Sequence, residues 1–145
     1  MKIYVASSWR CKYQPPVVKA LLKTGHEVYD FRYPPGKSGF KWSEIDPNWQ
    51  LWTPLKFSNA LDYPAVVNGF SADYAAMCWA DVCVLVLPSG RSAHLEAGWF
   101  AGRRKPVIVF MPCACEPELM YRLLNRPICR SIKQLTSVLR EVDYK

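Results

Sequence analysis

Apolar residues fall along this chain in short runs separated by longer amphipathic stretches. Val82 to Leu87 is six apolar residues in a row, which suits a strand covered on both faces. Pro88-Ser89-Gly90 ends that run. Ser92 is placed to cap a helix running from Ala93 to Gly102. Apart from His94 and Glu96 this helix is small or apolar, so most of its sides must be covered. Further apolar runs predict strands at 2–6, 26–31 and 107–111, and a fifth at Pro127-Ile128-Cys129. Helices are predicted at 17–23, opened by Pro15-Pro16 and closed by Thr24-Gly25, and at 70–80, with Ser71 as cap and Asp73 in the first turn. Two more are predicted at 118–124 and 132–142. The last puts Ile132, Leu135, Val138, Leu139 and Val142 on one face.

Residues 32–68 break this rhythm. They carry five of the twelve prolines and three of the six tryptophans, Trp42, Trp49 and Trp52. A connection this long in a compact domain is usually functional or holds short helices of its own. Leu55 to Val67 reads as one such helix, broken near Pro64. The aromatics fit either a lid that stacks on a base or a small satellite core.

Strands alternating with helices predict an α/β fold with a parallel sheet. The expectation is one domain over residues 1–145, a flavodoxin- or Rossmann-like three-layer fold with five strands in the order 2-1-3-4-5. That order places the carboxyl ends of strands one and three at the switch point, where open α/β sheets bind ligands. Tyr4, Ser7 to Arg10, and Pro88 to Glu96 would then line one crevice.

Composition narrows the class. Half of the 145 residues are hydrophobic, which excludes a disordered chain. No apolar run approaches the ~20 residues that span a bilayer. Met1 to Ala6 has no signal-like apolar region, so a cytoplasmic setting is expected. The six cysteines are read as reduced, because Cys113-Ala114-Cys115 has the wrong spacing for a zinc knuckle and no matching pair follows. No metal and no cofactor is expected. The net charge of +7 favours an anionic ligand such as a nucleotide. The one basic run, Arg103-Arg104-Lys105, follows a predicted helix end, where cations are favoured in any case. No zinc finger, basic helix or aromatic-basic repeat points to nucleic-acid polymers.

The chemistry-bearing residues are few. Glu96 is a carboxylate in an apolar helix, and an enclosed carboxylate is costly unless something pairs with it or uses it. Its plainer reading is a charge that complements the helix dipole. Ser7, Trp9 and Arg10 follow the first strand without the three glycines of a dinucleotide fingerprint, which argues against NAD or FAD. Hydroxyls and an arginine there suit a phosphate or a sugar, or simply a polar loop. Ser89, Gly90, Arg91 and Ser92 form the corresponding loop after the third strand.

These residues resemble the nucleoside 2-deoxyribosyltransferase family. The landmarks are Ile3-Tyr4-Val5-Ala6-Ser7, Asp73 eight residues before Asp81, the Ala80-Asp81 pair leading into its apolar strand, and Glu96-Ala97-Gly98. The resemblance implies that Glu96 is a nucleophile that takes the sugar from one base and passes it to another. It implies that Asp73 assists the leaving base, that Tyr4 contacts the nucleophile, and that the protein is a homodimer or larger homo-oligomer. A branch of the family hydrolyses nucleoside 5′-monophosphates, with loop serines and an arginine on the phosphate. Ser89, Ser92, Arg91 and Arg10 lie in the matching loops. Transferases often carry an acid six residues before the nucleophile, where this chain has Gly90, and their C-terminal asparagine has no clear match. Both departures weigh against base exchange relative to hydrolysis.

The residue types fit such chemistry on their own terms. Breaking an N-glycosidic bond builds positive charge on the sugar, which one carboxylate stabilises or attacks. The leaving base needs a proton, which a second carboxyl supplies. Two other readings compete. Pro88-x-Gly90 followed by Glu96 has the spacing of phosphoribohydrolases acting on cytokinin nucleotides, although Ser89, Ser92 and Ala93 depart from that signature. A nucleotide-binding sensor module on the same fold would bind without turnover.

Overall fold

The computed structural model describes residues 1–124 and 127–143. The chain divides into two compact units, one formed by Met1–Asp30 and Trp79–Lys145, the other by Phe31–Cys78.

The first unit holds a parallel four-stranded sheet in the order β2-β1-β3-β4. Its strands are β1 (Lys2–Ala6), β2 (Glu27–Asp30), β3 (Val82–Val86) and β4 (Val107–Phe110). The expected order of these four is found. The fifth strand is not: the segment contributes one bridge, Cys129 beside Phe110. Cys129 donates its N–H to Val109 and accepts from Met111, both at 2.8 Å. Pairing stops there because the next amide, Arg130, donates to Gln134 Oε1 at 2.7 Å, and a helix begins at Ile132. Pro127, two residues before the bridge, has no N–H to offer.

Strand alternation sorts the side chains onto two faces. Ile3, Val5, Val82, Val84, Val86, Ile108 and Phe110 share a core with Val17, Val18 and Leu21 of α1 (Gln14–Lys23) and Leu135 and Leu139 of α5 (Ile132–Asp143). On the opposite face, Tyr4 pairs in register with Cys83, and Ala6 with Leu85. There α4 (Arg91–Gly102) buries Ala93, Ala97 and Phe100, with the Phe100 ring 5.7 Å from that of Tyr4. Helices therefore cover both faces, and β3 is buried throughout, which is why its sequence is an unbroken apolar run. Each fully buried aliphatic or aromatic side chain here contributes roughly 1.5–3 kcal/mol.

Helix ends follow local chemistry. α1 starts earlier than expected, with its prolines in the first turn, where a missing N–H costs nothing. It ends at Gly25, whose φ of +82° closes the turn as N–H groups of Gly25 and His26 return to Leu22 and Leu21. α4 closes in the same way with Arg104 in the left-handed position, at φ +58°. Arg104 donates to Ala101 and Lys105 to Phe100. Asp81 locks the start of β3 to β1: its N–H donates to the Lys2 carbonyl and its carboxylate accepts the Lys2 N–H, both at 2.8 Å.

The second unit contains two single 3₁₀ turns, Trp42–Glu44 and Trp49–Leu51, then α2 (Pro54–Ala60) and most of α3 (Pro64–Trp79). The break expected at Pro64 is the start of α3. That helix runs unbroken through Phe70 and Ser71, so Ser71 is no cap. Trp42 sits among Phe40, Trp52 and Phe57, with ring centroids 5.0–5.8 Å away in edge-on geometry. These rings pack on one another with none of them buried, Phe57 being 48% exposed. Asp46 ties the cluster together, accepting from Trp52 Nε1 at 2.6 Å, Lys56 Nζ at 2.9 Å and Asn48 N at 2.9 Å. Those bonds lower its pKa to about 2.

Candidate active site

The loops after β1 and β3 lie side by side because their strands pair. Ser7 is buried, and its hydroxyl donates to the Val86 carbonyl at 2.9 Å, tying the two strand ends together. Its proton is thus committed to the fold, and only its acceptor capacity remains for a ligand. Trp9 and Arg10 stand exposed in the β1 loop. Tyr4 is buried, stacked on Tyr29 at 5.4 Å and tilted against Phe100.

The β3 loop feeds directly into α4. Gly90, not Ser92, is the N-cap, in extended geometry and with no side-chain cap. Ser92 is the second residue of the helix and is exposed, as is Arg91. Ser89 is half-buried, and its Oγ is closed off from water without a hydrogen-bond partner.

Glu96 is half-buried on α4. Successive helix residues turn by about 100°, so Glu96 and Phe100 share one flank of the buried Ala93–Ala97 stripe, while His94 and Gly98 share the other. Phe100 packs on Tyr4 of β1, which puts the Glu96 flank on the switch-point side and on the same side of the sheet as Tyr4. The negative charge of Glu96 reaches Cys83, the register partner of Tyr4. Burial first, and then Glu96, push the Cys83 thiol well up. Asp73 is half-buried on α3, in the second unit.

The other flank opens on a cleft of about 690 Å³ at the carboxyl ends of β3 and β4. Ser89, Gly90, Arg91, His94, Cys115 and Tyr121 are among its walls, with Leu123 and Leu124 supplying apolar surface. Glu96, Tyr4 and Ser7 do not line it, so the candidate nucleophile and this cleft lie on different sides of α4. The β3 loop borders both. A second hollow of about 400 Å³ runs along α1 and holds none of the expected site residues.

His94 and Tyr121 were not expected from the sequence. His94 Nδ1 is 2.8 Å from the Gly90 carbonyl and Nε2 is 2.8 Å from the Tyr121 hydroxyl. A carbonyl only accepts, so the neutral ring carries its proton on Nδ1 and takes the Tyr121 hydroxyl proton at Nε2. Burial, Cys115 and Glu118 push the Tyr121 pKa up, which keeps that donor protonated. The available signal was the position of His94, four residues after Gly90 and across the helix from Glu96. Tyr121 comes from an irregular 3₁₀ stretch, Leu119–Leu124, whose spacing names no face.

Among the described residues, no group of three or more His, Cys, Asp or Glu side chains could hold a metal ion. No described helix is long and apolar enough to cross a membrane.

No protein-family model and no curated protein matches the sequence. Solved structures do share its fold. A 2-deoxyribosyltransferase from the psychrotolerant bacterium Bacillus psychrosaccharolyticus aligns with a TM-score of 0.65 at 20% identity, covering 93% of this chain and 90% of the other. A conserved protein from Enterococcus faecalis V583 aligns at 0.62 and 12% identity, covering 97% and 98%. The CMP N-glycosidase of Clostridium botulinum aligns at 0.53 and 14% identity, covering 98% and 99%. At these identities the likeness is one of fold: a small parallel α/β domain flanked by helices, matched over nearly the whole of each chain.

Proposed function

We propose that this protein cleaves the N-glycosidic bond of a nucleoside or nucleotide through Glu96, transferring a ribosyl or 2-deoxyribosyl group between bases. The observation that carries the reading is the place of Glu96: a half-buried carboxylate on the switch-point flank of an apolar helix, with its charge felt at Cys83. A carboxylate oxygen of Glu96 attacks the anomeric carbon as the bond to the base breaks, giving a glycosyl ester. Asp73 supplies or relays the proton that the departing base requires. The nitrogen of a second base then displaces the ester and restores the carboxylate. Tyr4 supports the nucleophile. Ser7, Trp9, Arg10, Ser89, Gly90, Arg91 and Ser92 hold the sugar and its 5′ substituent. No cofactor enters these steps. A homodimer or larger homo-oligomer in the cytoplasm is the assembly and setting that go with this reading.

A second reading is hydrolysis of nucleoside 5′-monophosphates, in which water resolves the ester. It draws support from the uncapped N-terminus of α4, where amide groups and the helix dipole favour an anion, with Arg91 alongside. Support also comes from Gly90, where the transferase pattern has an acid, and from the shared fold with a protein described as a CMP N-glycosidase.

The test is incubation with a panel of nucleosides and their 5′-monophosphates, following free base, then repetition with a second base present. A new nucleoside marks transfer, and free sugar or sugar phosphate marks hydrolysis. Tight binding with no release of base would replace both readings with a binding module.

A further inference from the structure

We propose that the outer face of α3 is the surface through which two copies of this chain pair, helix against helix about a two-fold axis. This gives the homo-oligomer named above a place on the fold. The pairing does not depend on catalysis, and a protein that cleaves nothing would still form it.

α3 is apolar on nearly every side, and a helix of that kind is normally covered all round. One side is covered within the second unit: Val66, Ala76 and Met77 are buried, and Gly69 lies against Phe40. The other side is open. Tyr63, Val67, Phe70, Tyr74 and Cys78 recur at spacings of four, three, four and four residues, which sets them in one stripe. All five are exposed, and all lie in the second unit. The Phe70 and Tyr74 rings are stacked, with centroids 5.6 Å apart and planes 16° from parallel. The middle of the stripe is therefore a flat plate already formed in the single chain.

Charge, spacing and area point to a second copy as the occupant. Residues 57–79 contain no lysine or arginine, although the chain has 19 and a net charge of +7. A nucleic acid or an acidic membrane surface would find no counter-charge here. For a second copy the same absence permits contact, because two chains of this charge repel each other wherever their basic surfaces meet. The four-three-four spacing is that of a helix seam. Across a two-fold axis such a seam packs on itself, the Phe70–Tyr74 plate of one copy on that of the other. Tyr63, Val67, Phe70 and Tyr74 are each 39–64% exposed. At ~200 Å² for an aromatic side chain they offer roughly 350 Å² of mainly apolar surface. Leu61 ahead of the stripe, and Ser71 and Ala75 alongside it, are exposed too and extend this towards the ~800 Å² that each partner gives to a stable interface.

Sedimentation velocity on the full chain tests the pairing. At about 100 µM, well above any low-micromolar Kd, the wild type should have about twice the 16.7 kDa of one chain. Phe70→Lys and Phe70→Glu should each raise the dissociation constant about a hundredfold, the scale of a central interface residue, and sediment mainly as monomers. Phe70 is 64% exposed, so both variants should keep the circular dichroism of the wild type. Tyr74→Lys should weaken pairing in the same way and serves if the Phe70 variants do not fold. Mixing Phe70→Lys with Phe70→Glu should restore the dimer, because the two-fold axis brings the opposite charges together. Leu119→Lys, at a still more exposed apolar position in the first unit, should leave the dimer intact. A monomeric wild type, a dimer that survives the Phe70 and Tyr74 substitutions, or charge variants that stay monomeric when mixed would overturn the proposal. So would loss of the dimer in Leu119→Lys alone.

Discussion

The negative charge of Glu96 on α4 acts on the thiol of Cys83 in β3, and after burial it is the main reason that this thiol is held well above the ordinary range. One charge on α4 is therefore felt at the centre of the sheet, at the register partner of Tyr4. Removing it has a defined sign. In Glu96→Gln the Cys83 pKa should fall while staying raised, because burial remains. The Cβ chemical shift of Cys83 followed with pH reads this directly. An unchanged titration would mean that the charge of Glu96 does not act on Cys83.

Asp46 gives the second unit a pH response. Its carboxyl titrates at about 2, against 3.8 for the free group, through its bonds to Trp52, Lys56 and Asn48. A lowered folded-state pKa means that the ionised form favours the fold. The contribution is fully present above 3.8 and is lost as the pH falls through about 2. Tryptophan fluorescence between pH 5 and pH 2 should report loosening around Trp52 in the wild type. In Asp46→Asn the same looseness should be present already at neutral pH, with little further change on acidification.

Arg104 closes α4 in a conformation that suits glycine. A side chain at positive φ costs about 1–2 kcal/mol, and glycine's greater freedom in the unfolded chain returns about 0.5–1 of that. Arg104→Gly should therefore stabilise the protein by about 0.5–1 kcal/mol in urea denaturation. A loss of stability would show that the Arg104 side chain contributes more than its backbone strain costs.

Gly69 makes the opposite case. It lies inside α3, where alanine would ordinarily be the better helix former. A Cβ at this position would come within 2.8 Å of the Phe40 Cβ, and the side chain cannot swing that atom away. Gly69→Ala should destabilise the second unit by about 1–3 kcal/mol, seen as a weakened near-ultraviolet signal from the Trp42 cluster.

The chain pattern revealed the fold where burial is simple. β1 falls on the expected residues, and the strand order follows from the alternation of elements. Ends and interruptions were harder to read. The pattern divides 55–67 from 70–80 as separate helices, yet α3 runs from Pro64 to Trp79 and holds Gly69 against Phe40. Ser92 looks like a cap, but the helix starts two residues earlier, with Gly90 in the extended geometry of an N-cap. Cys129 looks like a strand, yet its neighbours are drawn away by Gln134 and the start of α5. Of the site, helical spacing alone placed Glu96 on a covered helix. The Tyr121–His94 contact joins residues 27 apart through an irregular turn, so no periodicity announced it.

As the proposed nucleophile, Glu96 forms a covalent bond to the sugar. A nucleoside or 5′-monophosphate carrying fluorine at the 2′ position slows both steps by destabilising positive charge on the sugar, and the ester should then accumulate. Mass spectrometry of the intact protein, followed by peptide mapping, is the measurement. The expected result is one added fluorosugar on Glu96, absent in Glu96→Ala, which should still bind substrate but release no base. An adduct on another residue, or full turnover by Glu96→Ala, would exclude Glu96 as the nucleophile.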